Sequence, residues 1–223
     1  GIDMLRELGV EPDPQRMFVS CFGPKHHPFN NVLADMALEP EAIQVNLDGQ
    51  RWVDEALHLH GMTPCISRQP KEISWAIGSR DNWAAIADKF LNNPAMAKRR
   101  WQFETWEADL EEESKLDTPV KNTLEELATL CGMDAQALTD TVTRYNQFCA
   151  KGLDEDFGKA AEHLVPISSH GPYYAIYGQR FSEAAMGGLM VDGQCRVLRN
   201  DGTPIPGLYG VGDATSAMHR KGK

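Results

Sequence analysis

TLEELATLCGMDAQALTDTVTRYNQFCAKG, residues 123–152, carries its own start and stop signals. Thr123 stands three residues before Glu126, the spacing at which a hydroxyl and a carboxylate satisfy the open N–H groups of a helix start. Leu124, Leu127, Ala128 and Cys131 share one face, and Gly132 ends the run. Asp134 then caps a second helix, with Leu138, Val142, Tyr145 and Phe148 as its apolar stripe and Gly152 as its stop. An α-α hairpin is predicted over 121–152, and helical spacing makes its aromatic residues core.

On the C-terminal side the texture turns to β from Pro172: YYAIY, GGLMVD, CRVLR and LYGVG, punctuated by Asp192-Gly193 and Asp201-Gly202. On the N-terminal side, Pro94 suits the first position of a helix that runs to about Ser114 and ends in EADLEEES. Asp81 is read as the cap of a helix that ends near Asn92-Asn93, and ISWAI (73–77) as a strand. AIQVN-LDGQ-RWVDE (42–55) reads as a hairpin across Asp48-Gly49. GPKHHP (23–28) is a loop before a helix from Asn30 or Asn31 to Leu38. MFVSCF (17–22) is a strand, PDPQ (12–15) a turn, and IDMLREL (2–8) a short helix stopped by Gly9. The order predicts an α+β fold, with a helical and small-sheet middle between strand-bearing ends.

The 223 residues suffice for one or two domains, and 42 % hydrophobic content with 24 % charged is ordinary for a globular chain. A net charge of −10 opposes non-specific binding to nucleic acid or anionic membrane, which needs a basic footprint. Lys98-Arg99-Arg100 beside Trp101 is followed closely by acidic residues and reads as a solvated helix face. The five cysteines, Cys21, Cys65, Cys131, Cys149 and Cys195, show no C-x-x-C spacing and read as reduced thiols. No apolar run reaches ~18 residues, so no transmembrane segment is expected, and no signal peptide opens the chain. A soluble protein is expected, cytoplasmic or exported.

Several residues carry chemistry. Leu208–Val211 reads as a short buried strand of a parallel sheet, delivering Gly212-Asp213 to a crevice at its carboxyl end. Gly210 and Gly212 leave room for a ligand there. Asp213 reads equally as an acceptor for sugar or ribityl hydroxyls and as a helix N-cap. Gly187-Gly188 would allow a flat ring to lie on backbone, but by itself reads first as an ordinary turn. His26-His27, His58 and His60 lack a ligand pattern around them, so no metal site is expected.

Taken in order, GIDMLRELGV, AIQVNLDGQRWVDE, the hairpin with DEDFGK (154–159), GPYYAI and MGGLMVDGQCRVLRNDGTPIPGLYGVGDAT resemble the flavoprotein subunit family of fumarate reductases and succinate dehydrogenases. The soluble FAD-dependent branch is most similar, and ketosteroid dehydrogenases and urocanate reductases share the layout. The resemblance implies an FAD-binding α/β domain interrupted by a capping domain. Residues 1–21 and 186–223 would be segments of the former and 22–185 the cap. It further implies FAD as cofactor, a small unsaturated substrate, a redox partner, and hydride transfer through flavin N5 that reduces or forms a C–C double bond. Gly187, Gly188, Gly210, Gly212 and Asp213 would face the flavin. The Gly-x-Gly-x-x-Gly cradle for the FAD pyrophosphate is absent, so the chain is expected to be a fragment that does not retain FAD and is inactive alone. A non-catalytic binding or interaction module derived from the cap is the alternative.

The departures bear on substrate. The family's proton-donating arginine, four residues after the glutamate matching Glu55, falls on Leu59. The Glu and Arg that relay protons to it fall on Asp35 and Leu38, and the dicarboxylate-binding histidine falls on Ala184. Leucine donates no proton and alanine pairs with no carboxylate. Fumarate is therefore not the expected substrate. His58, His60 and Arg80 are the candidate replacements for the acid or anion contact.

Overall fold

The computed structural model describes residues 2–11, 17–24, 35–57, 59–108, 119–186 and 188–215. The chain forms two compact units: Gly1–Ser20 with Ser182–Lys223, and Cys21–Phe181. The fold is α+β, mixing helices with small antiparallel sheets.

A five-stranded sheet is formed by β1 (Met17–Pro24), β2 (Ile43–Asn46), β3 (Ile73–Ser79), β4 (Val120–Lys121) and β5 (Tyr173–Met186), of which β2, β3 and β4 lie wholly in the larger unit. Its strand order is β1-β5-β3-β2, with β4 also paired to β5. β3 pairs antiparallel with β2 (Val45 opposite Trp75) and with β5 (Trp75 opposite Tyr177). Side chains alternate across a strand, so β3 and β5 feed two cores. Trp75, Ile77, Tyr173 and Ala175 point into one, and Ala76, Tyr174 and Ile176 into the other.

Helix α1 is Leu59–Ile66, α2 is Arg80–Leu91 and α3 is Arg100–Glu104. Whereas α1 packs Met62 and Ile66 against Trp52 and Val53 in a separate cluster, α2 and α3 close the second of these cores in part. Trp83, Ile86 and Phe90 of α2 pack there, and Phe90 stacks on Phe103 of α3 with ring centroids 4.5 Å apart. The cap of α2 is Ser79 and not Asp81: Asn82 Oδ1 accepts from the Ser79 N–H (2.9 Å) and hydroxyl (2.5 Å). Asn82 is buried, so its side chain serves the cap while exposed Asp81 remains in the first turn. Pro94 opens a 3₁₀ turn to Arg99 before α3, where one continuous helix was expected; residues 109–118 lie outside the described residues.

The first core is closed by α4 (Leu124–Cys131) and α5 (Ala135–Lys151), the expected hairpin. Thr123 Oγ1 accepts from the Glu126 N–H (3.2 Å) and Asp134 Oδ1 from the Ala137 N–H (2.8 Å). Gly132 and Gly152 end the helices in left-handed backbone, φ 73° and 69°, where a β-carbon is strained. Leu127, Ala128, Cys131, Leu138, Val142, Tyr145 and Phe148 are all buried. Truncating a buried aromatic of this size costs about 3–5 kcal/mol. Asn146 locks α5 to the segment before β5, its amide exchanging two 2.8 Å hydrogen bonds with the backbone of Ile167.

The expected hairpin over 42–55 forms only its first arm. Past the Asp48-Gly49 turn, a single bridge at Arg51 replaces the second strand, and β3 takes its place beside β2. Residues 51–55 are instead held by side chains that draw Arg51 and Glu55 inward.

The smaller unit has a 3₁₀ helix, Ile2–Leu8, ended by Gly9 at φ 75°, and a hairpin of β6 (Arg196–Leu198) with β7 (Pro204–Tyr209). Val10, Leu189, Val197 and Ile205 form its core. The closing strand is not the buried parallel strand expected. β7 is antiparallel to β6, and Tyr209 and Val211 are 64 % and 71 % exposed. The parallel pairing lies elsewhere, between Leu189 and Thr215.

Candidate functional site

The turn after β2 is built by Asn46, whose Oδ1 accepts from the N–H groups of Asp48 and Gln50. It turns the chain so that Arg51 and Glu55 enter the interior. There they meet Asp154 and Lys159, and all four side chains are at least 96 % buried. Arg51 donates to Glu55 through Nε (2.9 Å) and Nη2 (2.7 Å), and to Asp154 through Nη1 (3.2 Å) and Nη2 (3.0 Å). Lys159 Nζ lies 3.1 Å from Glu55 Oε2 and donates to Tyr145 Oη at 3.2 Å. The Arg51 guanidinium is also 4.9 Å from the Tyr145 ring centre and 5.1 Å from that of Phe157.

Two cations and two anions balance, which is what permits their burial. Burial pulls the Arg51 guanidinium down, but its bonds and charge contacts to Glu55 and Asp154 outweigh that and hold it above its ordinary range. Burial pushes the Asp154 carboxyl up, and Arg51 with the N–H groups of Asp156 and Lys159 brings it below the usual carboxylate value. Burial dominates at Lys159, whose ammonium is lowered despite Glu55. Glu55 accepts from the Gln44 N–H (3.0 Å) besides Arg51 and Lys159, so both its oxygens are occupied. Neither oxygen is left with a free acceptor position.

Glu55 borders a cleft of roughly 460 Å³ in which the chain also places Asp35 and Leu38. Positions matched by resemblance to a proton relay and to its neighbouring glutamate thus share one cleft. Leu57, Phe90 and Met96 give it apolar walls, and His163 and Glu39 reach it as well. A second cleft of roughly 520 Å³ lies over Tyr145, Phe148 and Phe157. Its Arg144 is paired with Asp156 at 2.6 and 2.8 Å.

Of the sequence candidates, His58 and Gly187 lie outside the described residues. His60 is exposed on α1, which begins at Leu59. Arg80, exposed at the start of α2, is held by Glu107 through Nε (2.6 Å) and Nη2 (2.8 Å) and is not in either cleft. A β-carbon on Gly188 would lie 2.5 Å from the Ala214 carbonyl oxygen, and one on Gly210 would meet Thr215 at 3.0 Å. Protein therefore fills the space beside both glycines. Gly212, at φ 64°, has open space where a β-carbon would be. Asp213 is the second residue of a 3₁₀ turn, Gly212–Ala214, whose N-cap position is Val211, so it does not cap that turn. Among the described residues no group of three or more His, Cys, Asp or Glu is arranged to hold a metal, and no helix is long and apolar enough to cross a membrane.

Sequence reasoning passed over the Arg51–Asp154 pairing and His163. The segment Asp154–Lys159 drew notice only as part of the resemblance; alternating charge and apolar character gave no sign that a lysine and an aspartate there are interior.

Known proteins resemble this chain over most of its length. The family described as FAD binding domain matches residues 1–221. A 4-oxocyclohexanecarboxylate 2-dehydrogenase of Sinomonas cyclohexanicum is 28 % identical over 87 % of this chain and 35 % of its own. A vinyl phenol reductase of Lactiplantibacillus plantarum is 30 % identical over 78 % of this chain and 36 % of its own. The chain thus spans about a third of the length of these relatives. An open-conformation structure of a flavocytochrome c3 fumarate reductase shares the fold, with TM-score 0.70 and 23 % identity over 98 % of this chain and 35 % of that one.

Proposed function

The chain belongs to the FAD binding domain family, whose members here are oxidoreductases acting on C–C double bonds, and from that premise we propose that Cys21–Phe181 is a capping unit that encloses a small unsaturated substrate. The single observation that carries this reading is the cleft shared by Asp35, Leu38 and Glu55. Resemblance matches Asp35 and Leu38 to the proton relay of fumarate reduction, and Glu55 to the glutamate four residues before its proton donor.

Bound FAD supplies the hydride chemistry, and the protein binds, orients and encloses the reacting partner. Gly212 offers a point where backbone can approach the flavin, and Asp213 is proposed to accept from a ribityl or ribose hydroxyl. Electrons come from a separate redox partner. The substrate is not fumarate. Leu38 stands where a proton-relaying arginine would be, and among the described residues the lining of the cleft includes Asp35, Glu39 and Glu55 but no lysine or arginine. A dicarboxylate entering it would find no lysine or arginine among the described lining residues to pair with.

The test is anaerobic oxidation of reduced viologen dye by the native, flavin-containing protein, with fumarate and with cyclohex-2-en-1-one offered separately. Dye oxidation with the enone and none with fumarate is expected. Turnover of fumarate at or above about 10 s⁻¹, a rate typical of enzymes, overturns the reading.

A further inference from the structure

His163 reaches the cleft from a short 3₁₀ turn, Ala161–His163, more than a hundred residues after Glu55 in sequence. Its side chain is 27 % exposed. Nδ1 lies 4.0 Å from Glu41 Oε1 and Nε2 lies 3.6 Å from Glu162 Oε1, both beyond hydrogen-bond distance. Neither ring nitrogen has a hydrogen-bond partner among the described residues, in a wall that is otherwise apolar or acidic. The acidic groups are engaged: Glu39 with Lys89, and Glu55 with Arg51 and Lys159.

A cleft of this kind selects by charge and by one polar contact. Leu38, Leu57, Phe90 and Met96 supply surface for an apolar body. Among the described lining residues no lysine or arginine is present to pair with an anion. A histidine ring that keeps an N–H free can donate it to a carbonyl oxygen. We propose that His163 is the specificity-determining contact of this cleft, donating a hydrogen bond to the oxygen of an uncharged unsaturated ketone or aldehyde whose body lies on those four side chains. The proposal rests on the capping-unit reading above.

The experiment is NMR of the isotopically labelled chain titrated with cyclohex-2-en-1-one, with fumarate as a second probe. The enone is expected to shift the Met96 methyl and the His163 ring resonances together, while fumarate shifts neither. His163→Phe is expected to weaken enone binding about five- to ten-fold, the size of one lost neutral hydrogen bond, and His163→Gln, which keeps a donor, to stay within about two-fold. A Met96 shift without a His163 shift, or equal affinity in His163→Phe, overturns the role of His163 while leaving the cleft as a binding site. No shift at either residue, or a fumarate shift at both, overturns the ligand class. Failure of the wider reading registers elsewhere, as absence of dye oxidation with the enone in the native protein.

Discussion

Arg51 and Asp154 stand 103 residues apart in the chain and meet inside the larger unit as a two-bonded pair, Nη1 to Oδ1 at 3.2 Å and Nη2 to Oδ2 at 3.0 Å. The same guanidinium holds Glu55. One side chain therefore fastens the loop after β2 to the loop after α5.

Removing that side chain leaves two buried carboxylates with only Lys159 as counter-charge. Arg51→Met is expected to destabilise the fold by about 3–5 kcal/mol, the range for breaking a buried pair from one side. Urea denaturation measures it. A loss under about 1 kcal/mol, the value of an exposed pair, would mean that water reaches the network.

The lowered carboxyl of Asp154 makes a pH statement with a definite sign. A group whose folded pKa lies below its unfolded value, near 3.9 for aspartate, contributes stability that is fully present above that unfolded value and is lost as pH falls through the folded one. Wild type should lose this contribution below about pH 4. Asp154→Asn should be less stable at pH 7 and show a shallower acid limb. Thermal denaturation across pH 2–7 compares them, and parallel curves would count against the assignment.

Gly188 is required by backbone rather than by ligand. Gly188→Ala forces a methyl group toward the Ala214 carbonyl and should cost about 1–3 kcal/mol, as overpacking does. Gly193→Ala, with nothing within 4 Å of the added carbon, is the control and should be near neutral. Equal stabilities of the two variants would refute the close approach of residues 188 and 214.

Because protein atoms fill the space beside Gly188 and Gly210, the chain alone is expected to bind FAD poorly. Purified chain should be colourless. A stoichiometric absorption band at about 450 nm, the flavin signature, would sink this expectation.

Legibility in the sequence followed the range of the forces involved. The hairpin of α4 and α5 was readable to the residue because Thr123, Gly132, Asp134 and Gly152 act on their own neighbours. Ser79 was passed over for Asp81 because its cap partner, Asn82, is itself chosen by burial and by a bond to the Glu41 carbonyl, 41 positions away. The second arm of the 42–55 hairpin was misread for the same reason. Its residues look like a strand until Asp154 and Lys159 are brought to them. A buried strand was expected at Leu208–Val211; the strand observed is Pro204–Tyr209, which overlaps it only at Leu208 and Tyr209, and Tyr209 and Val211 are exposed. At the cleft, resemblance named Asp35, Leu38 and Glu55, whereas His163 had no local mark at all.

The strand order described above has a consequence for synthesis on the ribosome. β3, with Trp75, Ala76 and Ile77 at its centre, pairs on one side with β2, which is made before it. Its other edge waits for β5, whose pairing residues begin at Tyr173, roughly a hundred positions downstream. At about 5–20 residues per second that edge stays open for several seconds or longer while α4 and α5 emerge. An unpaired apolar edge is a template for association with other chains. During that interval the nascent protein is at its most dependent on chaperones.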